Sequence, residues 1–132
     1  VWEFHGNSRH LLCLDCRGRV AVSDALLDTL PPRCGCGGLY KPDFIFFGEG
    51  IPEPAMSESV RAANQCDAMI VIGSTGEVAP ASMLPGLARD HGATIIEINP
   101  EPSLYTPGTT DIFLQGPATG MMTALGAALP LP

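Results

Sequence analysis

From Pro42 onward the chain alternates short apolar runs with amphipathic stretches, the pattern of strands and helices laid into one α/β layer. Phe44-Ile45-Phe46-Phe47 reads as a short aromatic strand that stops at Gly48. Over residues 54–65, Met56, Val60 and Ala63 recur at spacings of four and three, which predicts one apolar face of a helix. The continuous run from Ala68 to Ile72 ends at Gly73 and predicts a parallel strand buried on both faces. Met83, Leu84, Leu87 and Ala88 mark a helical face over residues 80–91, stopped at Gly92. Thr94-Ile95-Ile96-Glu97-Ile98, closed by Asn99-Pro100, is the next strand, and Asp111 to Leu114 a shorter one. Met121, Met122, Leu125 and Leu129 place a last helix over residues 117–129. The order β-α-β-α-β, then β-α, predicts a parallel sheet with helical crossovers.

The first forty residues read differently. Residues 1–10 are a polar-aromatic lead-in, while residues 11–41 hold four of the five cysteines, most of the basic residues and a break at Pro31-Pro32. That shift marks a small subdomain. Cys13-x2-Cys16 and Cys34-x-Cys36 are two close pairs separated by seventeen residues, nearly the spacing of a zinc ribbon. Each pair can offer both sulfurs to one ion from a tight turn, and Gly18, Gly35, Gly37 and Gly38 supply such turns. The second pair has one intervening residue where two are usual. Two disulfides are the alternative, and His10 could replace one sulfur. Cys66 reads as a buried core thiol.

Composition narrows the classes. With 45% hydrophobic and 16% charged residues and a mean hydropathy of +0.21, the 132 residues fit neither a disordered acidic tail nor a solvated coiled coil. Fifteen Gly and thirteen Pro imply many turns and short elements. A formal charge of -7 argues against a nucleic-acid surface and favours a basic partner, if any. No apolar stretch is long enough for a membrane span and Val1-Trp2-Glu3-Phe4-His5 lacks a signal-peptide layout, so the expectation is a cytoplasmic protein without a membrane partner.

A buried strand ending in Gly73-Ser74-Thr75-Gly76 is where open α/β sheets bind ligands, with Gly allowing close backbone approach and the two hydroxyls able to meet phosphate or ribose oxygens. Asn99 ends the next strand on the same edge; otherwise it is a turn residue before Pro100. His5, followed by Gly6, is the one histidine in a site-like context. His91 reads as a charge partner for a helix C-terminus.

Taken in order, these pieces resemble the sirtuins, NAD-dependent protein lysine deacylases. The matching text is Phe4-His5-Gly6-Asn7, the two cysteine pairs, Pro42-Asp43-Phe44-Ile45-Phe46-Phe47-Gly48-Glu49, Val71-Ile72-Gly73-Ser74-Thr75 with Glu77-Val78-x-Pro80, and Glu97-Ile98-Asn99-x-Glu101, spanning residues 3 to about 118. The resemblance implies a partial Rossmann-like NAD-binding domain from segments 1–10 and 42–132, with a zinc-ribbon subdomain over residues 11–41. It makes Cys13, Cys16, Cys34 and Cys36 the zinc ligands and His5 the catalytic base. In the family reaction the acyl oxygen of the modified lysine attacks the ribose carbon bearing nicotinamide, and the His removes a ribose hydroxyl proton, work that suits imidazole. The products are free lysine, nicotinamide and an acyl ester of ADP-ribose.

By the same resemblance Gly73, Ser74, Thr75, Asn99, Glu101 and Ala118 meet NAD. Ile45, Phe46, Phe47, Gly48 and Glu49, with Glu77 and Val78, hold the acylated-lysine peptide as an added strand. The sequence departs from the family in the order of Ser74 and Thr75 and in Gly76, where an aliphatic residue is common, which is expected to loosen that loop. The Gly-Ala-Gly loop and Gln-Asn-x-Asp stretch of the family do not occur in these 132 residues, so the chain resembles a C-terminal portion and is expected to be inactive alone. A zinc-stabilised module that binds acyl-lysine peptides without catalysis is the alternative. A dimer through an exposed sheet edge is a further expectation.

Overall fold

The structure, a computed structural model, describes residues 1–129. Residues 130–132, the end of the expected 42–132 segment, lie outside the described residues. Backbone contacts divide the chain into two units, Val1–Met56 and Ser57–Pro132.

The first unit is built on a three-stranded antiparallel sheet in the order β2-β1-β3, from β1 (Gly6–Cys13), β2 (Arg19–Ala21) and β3 (Tyr40–Phe44), with a single-turn helix α1 (Asp24–Leu27). Leu11 lies opposite both Val20 and Pro42, and Cys13 opposite Tyr40; Leu11 and Cys13 are buried. β1 is a strand where the sequence suggested only a lead-in. Its Asn7-Ser8-Arg9-His10 stretch carries no apolar alternation, and the pairing shifts register between Gly6 and Leu11.

A second difference concerns the aromatic strand. β3 ends at Phe44, where the expected strand begins, and it joins the antiparallel sheet rather than the parallel one. Pro42 read as a boundary, yet it sits inside the strand. β3 is an edge strand, and an edge tolerates a residue that cannot donate to a ladder.

The second unit holds a parallel sheet in the order β4-β5-β6, from β4 (Ala68–Ile72), β5 (Thr94–Asn99) and β6 (Ile112–Gln115). α2 (Ala55–Gln65), within which the division falls, precedes β4; α3 (Leu84–Asp90) crosses from β4 to β5; α4 (Ala118–Ala128) follows β6. A core of Ala63, Val71, Ala88, Ala93, Ile95 and Tyr105 lies on one face of this sheet, with Cys66, Met69, Leu84 and Leu87 packed around it. Ala63 is fully buried, as the spacing in α2 requires, and Cys66 is half-buried.

β4 is not buried on both faces. Val71 points into the core, but Ala68, Ile70 and Ile72 are exposed, the two isoleucines by 42% and 45%. The continuous apolar run concealed an alternation, because β4 is an edge strand with one face open. Met83 is exposed as well, since residues Ala81–Met83 form a 3-10 turn before α3 begins at Leu84 and three residues per turn carry Met83 off the apolar face. Met122 and Leu129 also stay exposed, Leu129 beyond the end of α4. No described helix is long and apolar enough to cross a membrane.

Candidate metal centre and cofactor pocket

The four cysteines of the first unit converge. Cys13 and Cys16 flank a tight turn in which the Cys13 amide donates to the Gly18 carbonyl at 2.8 Å. Cys34 and Cys36 flank another, in which the Cys34 amide donates to the Gly38 carbonyl and the Gly37 amide to the Cys34 carbonyl, both at 2.8 Å. The Leu14 amide donates to the Leu39 carbonyl and ties the two turns together. Gly38 is required for space, because a Cβ there would stand 2.8 Å from the Cys13 sulfur.

Cys13 and Cys36 sulfurs are 3.6 Å apart, Cys16 and Cys34 sulfurs 3.7 Å, and all four lie within 4.8 Å of one another. Four thiolates about 2.3 Å from one tetrahedral ion stand about 3.8 Å apart. The donor set therefore fits one Zn²⁺, with soft sulfur ligands and no position left for substrate. None of the five cysteines is in a disulfide. His10 is not in the cluster; its Nδ1 meets Arg19 Nη2 at 3.1 Å and Asn7 Oδ1 at 3.4 Å.

The thiols do not titrate alike. The Cys36 amide and then the Tyr40 hydroxyl stabilise the Cys34 thiolate, bringing it down to about 6. The Gly18 amide favours the Cys16 thiolate, but hydrogen bonding among Cys36, Cys13 and Cys34 outweighs it and pushes Cys16 up to about 12. The Cys16 amide likewise favours the Cys13 thiolate, whose pKa is lowered.

His5 occupies the turn before β1 and is exposed, its ring edge-on to Phe4 at 5.3 Å. Its carbonyl accepts the Ile45 amide at 3.0 Å. Gly6 packs directly against β3. It is left-handed, with φ of +70°, and a Cβ would lie 2.2 Å from the Asp43 carbonyl oxygen, so β3 takes the space. Asn7 is held locally, accepting the Arg9 amide at 2.8 Å and donating to Glu3.

Beyond β3 the chain is shaped by Lys41. Its ammonium donates to the Phe44 carbonyl and to Glu49 Oε2, each at 2.8 Å, and stands 4.9 Å over the Phe46 ring. Glu49 Oε2 also accepts the Phe46 amide, and the bonds from Lys41 and Phe46 hold its carboxyl below the usual range. Ile45 is half-buried, Phe46 and Glu49 are exposed, Gly48 is left-handed, and Phe47 is 94% exposed.

In the second unit an open cavity of about 460 Å³ lies past the C-terminal ends of β4 and β5, lined by Thr75, Glu77, Asn99, Glu101, Ser103 and Leu104 with two prolines. Thr75, Asn99 and Glu101 thus meet in one place, joined by Glu77. Gly73 and Ser74 support the cavity without lining it. The Gly73 amide donates to the Ile98 carbonyl at 3.0 Å, and the Ser74 carbonyl accepts Asn99 Nδ2 at 2.8 Å. Ala118 and Val78 are exposed and outside the lining. Gly76 is not a loosened position: its φ is +79° and a Cβ would come within 3.1 Å of the Tyr105 ring.

Glu97, Ser103, Thr106 and Thr110 had no role in the sequence reading. Glu97 is fully buried, and its carboxylate accepts Asn99 Nδ2, Thr106 Oγ1 and Thr110 Oγ1 at 3.3, 2.9 and 2.6 Å. Burial raises its pKa, but hydrogen bonds from Ser103, Thr110, Thr106 and Asn99 outweigh that and hold it below the usual value. The signal was a carboxylate set in the middle of an otherwise apolar strand, where a charge needs hydrogen-bond partners.

Residues 1–80 match the sequence profile of the Sir2 family. The chain belongs to the Sir2 family. It is 40% identical over 126 residues to NAD-dependent protein deacylase 2 of Pyrobaculum aerophilum, a match covering 95% of this chain and 50% of that protein. Among solved structures, it superposes on a Sir2 homolog in complex with NAD at a TM-score of 0.88 and 34% identity, covering 95% of this chain and 49% of the other. Sir2Af2 bound to a myristoylated histone peptide matches at a TM-score of 0.80 and 36% identity, over 93% and 54%. The chain spans about half the length of the curated Sir2-family relatives it matches.

Proposed function

We propose that these residues are part of an NAD-dependent protein lysine deacylase that moves an acyl group from lysine to ADP-ribose and releases nicotinamide, a transferase-type deacetylase reaction. The observation that carries this reading is the meeting of Thr75, Asn99 and Glu101 at one cavity beyond the C-terminal ends of parallel strands, where open α/β sheets take nucleotides. The names of Sir2-family relatives agree with it. NAD supplies the electrophilic ribose carbon. The chain's own part is to bind the adenosine ribose through hydroxyl and carboxylate acceptors, and to take a proton from a ribose hydroxyl at an imidazole nitrogen of His5.

The peptide is gripped through Ile45 to Glu49 and through Glu77 and Val78, with the acidic balance of the chain suiting lysine-bearing substrates. Cys13, Cys16, Cys34 and Cys36 hold one zinc whose role is folding. The open thiols fit the reducing cytoplasm. A binding module without chemistry is not adopted, since the relatives are named as enzymes.

The test is NAD-dependent deacylation of an acetyl-lysine peptide by the protein that carries these residues. His5→Ala is expected to lower kcat by roughly 10²- to 10⁴-fold, the usual contribution of a general base. Wild-type turnover in that variant would overturn the assignment. The 132 residues by themselves are expected to turn over little, because the Gly-Ala-Gly and Gln-Asn-x-Asp runs are not among them.

A further inference from the structure

Asn99 has two amide hydrogens and both are engaged. Nδ2 donates to the Ser74 carbonyl at 2.8 Å and to Glu97 Oε1 at 3.3 Å. The carboxamide oxygen is therefore the atom left for a ligand in the cavity that Asn99 lines. Glu97 and the Ser74 carbonyl fix this orientation together, because both only accept and neither tolerates the Asn99 oxygen turned toward it. Its other oxygen accepts Thr106 Oγ1 and Thr110 Oγ1, and Thr106 Oγ1 in turn accepts the Ser103 amide at 2.9 Å. Ser103 lines the same cavity. No ion pair among the described residues involves Glu97. Apolar packing alone would be served as well by an aliphatic residue.

We propose that Glu97 is a positioning residue: it fixes the Asn99 carboxamide with its oxygen toward the cavity and ties the 103–110 loop to β5, so that the pocket accepts a hydrogen bond from a ligand hydroxyl. This deepens the proposed function and rests on the cavity being the adenosine-ribose site. Glu97→Gln keeps the volume and changes the code. If its amide oxygen stays on the two threonine hydroxyls, its NH₂ faces the Asn99 NH₂, that hydrogen bond is lost, and the Ser74 carbonyl alone holds the carboxamide. If instead its NH₂ faces the threonines, it meets two hydroxyls that now donate to the carboxylate.

The experiment is a double-mutant cycle on binding of ADP-ribose to the 132-residue chain, well below its melting temperature. Glu97→Gln is expected to weaken binding roughly tenfold, the worth of one good hydrogen bond. Asn99→Ala should do the same, and the double variant should bind no worse than Asn99→Ala alone. Additive losses would mean that Glu97 acts only through general stability and would overturn the proposal.

A ligand-free measurement decides the case independently. In wild type the Asn99 side-chain NH₂ should exchange slowly with solvent by NMR, and in Glu97→Gln at least tenfold faster; equal exchange overturns the proposal. If wild type fails to bind ADP-ribose, the cofactor reading falls while the exchange result still decides the role of Glu97.

Discussion

At the scale of single residues, Glu97 carries a charge in the core with hydroxyl and amide partners instead of a cation. Its folded pKa lies below its ordinary value, near 4.3 in an unfolded chain. The unfolded state therefore takes up its proton first as pH falls. The stabilisation is present above about pH 4.3 and is lost as pH drops through the lower folded value. Melting temperatures of wild type and Glu97→Gln across acid pH should show this: the gap between them is expected to be widest above pH 4.3 and to shrink below it. A constant gap would show that the carboxylate does not titrate as described. His5 and Gly6 show the same dependence on neighbours, since β3 holds the His5 carbonyl and occupies the space that Gly6 leaves.

At the scale of elements, the central strand of the parallel sheet is buried on both faces, by Ile95 on one and Ile98 on the other, while the edge strand β4 is open on one. Ile95 is fully buried in the core under α3, whereas Ile70 on the edge strand β4 is 42% exposed. Ile95→Ala should cost about 2–5 kcal/mol in urea unfolding, and Ile70→Ala no more than about 0.5 kcal/mol. The pattern of costs tests the contrast between the buried central strand and the open edge strand. The open edge also bears on association, for Ile70 and Ile72 flank a row of backbone groups on β4 that no described strand pairs. Light scattering of the 132-residue chain is expected to show mass rising with concentration, and Ile70→Lys with Ile72→Lys to abolish the rise. A strict monomer at all concentrations counts against self-association.

At the scale of the whole molecule, the two units carry different chemistry. The cysteine cluster belongs to Val1–Met56 and the cavity lined by Thr75, Asn99 and Glu101 to the unit that starts at Ser57. Metal analysis is expected to give one zinc per chain, and a strong chelator to unfold the first unit, seen as loss of its β-sheet signal in circular dichroism. Acid should release the metal too, because its ligands must be thiolates. A metal-free chain with unchanged circular dichroism would overturn the metal's structural role.

Local features were legible in the amino-acid order alone. Cysteine spacing, Gly at turns, apolar runs and the order of the motifs are properties of neighbouring residues, so the cysteine cluster, α2, β5 and the family resemblance were all legible. The tertiary structure decided what depends on distant partners. Pro42 lies within a strand because β3 is an edge, and Ile70 and Ile72 are exposed because β4 is one. Glu97 gains its place only when residues 103–110 fold over β5 and bring Thr106 and Thr110 to its carboxylate. Periodicity reports which side of an element is apolar. Which side is covered, and what satisfies a buried charge, is set by residues far away in the chain.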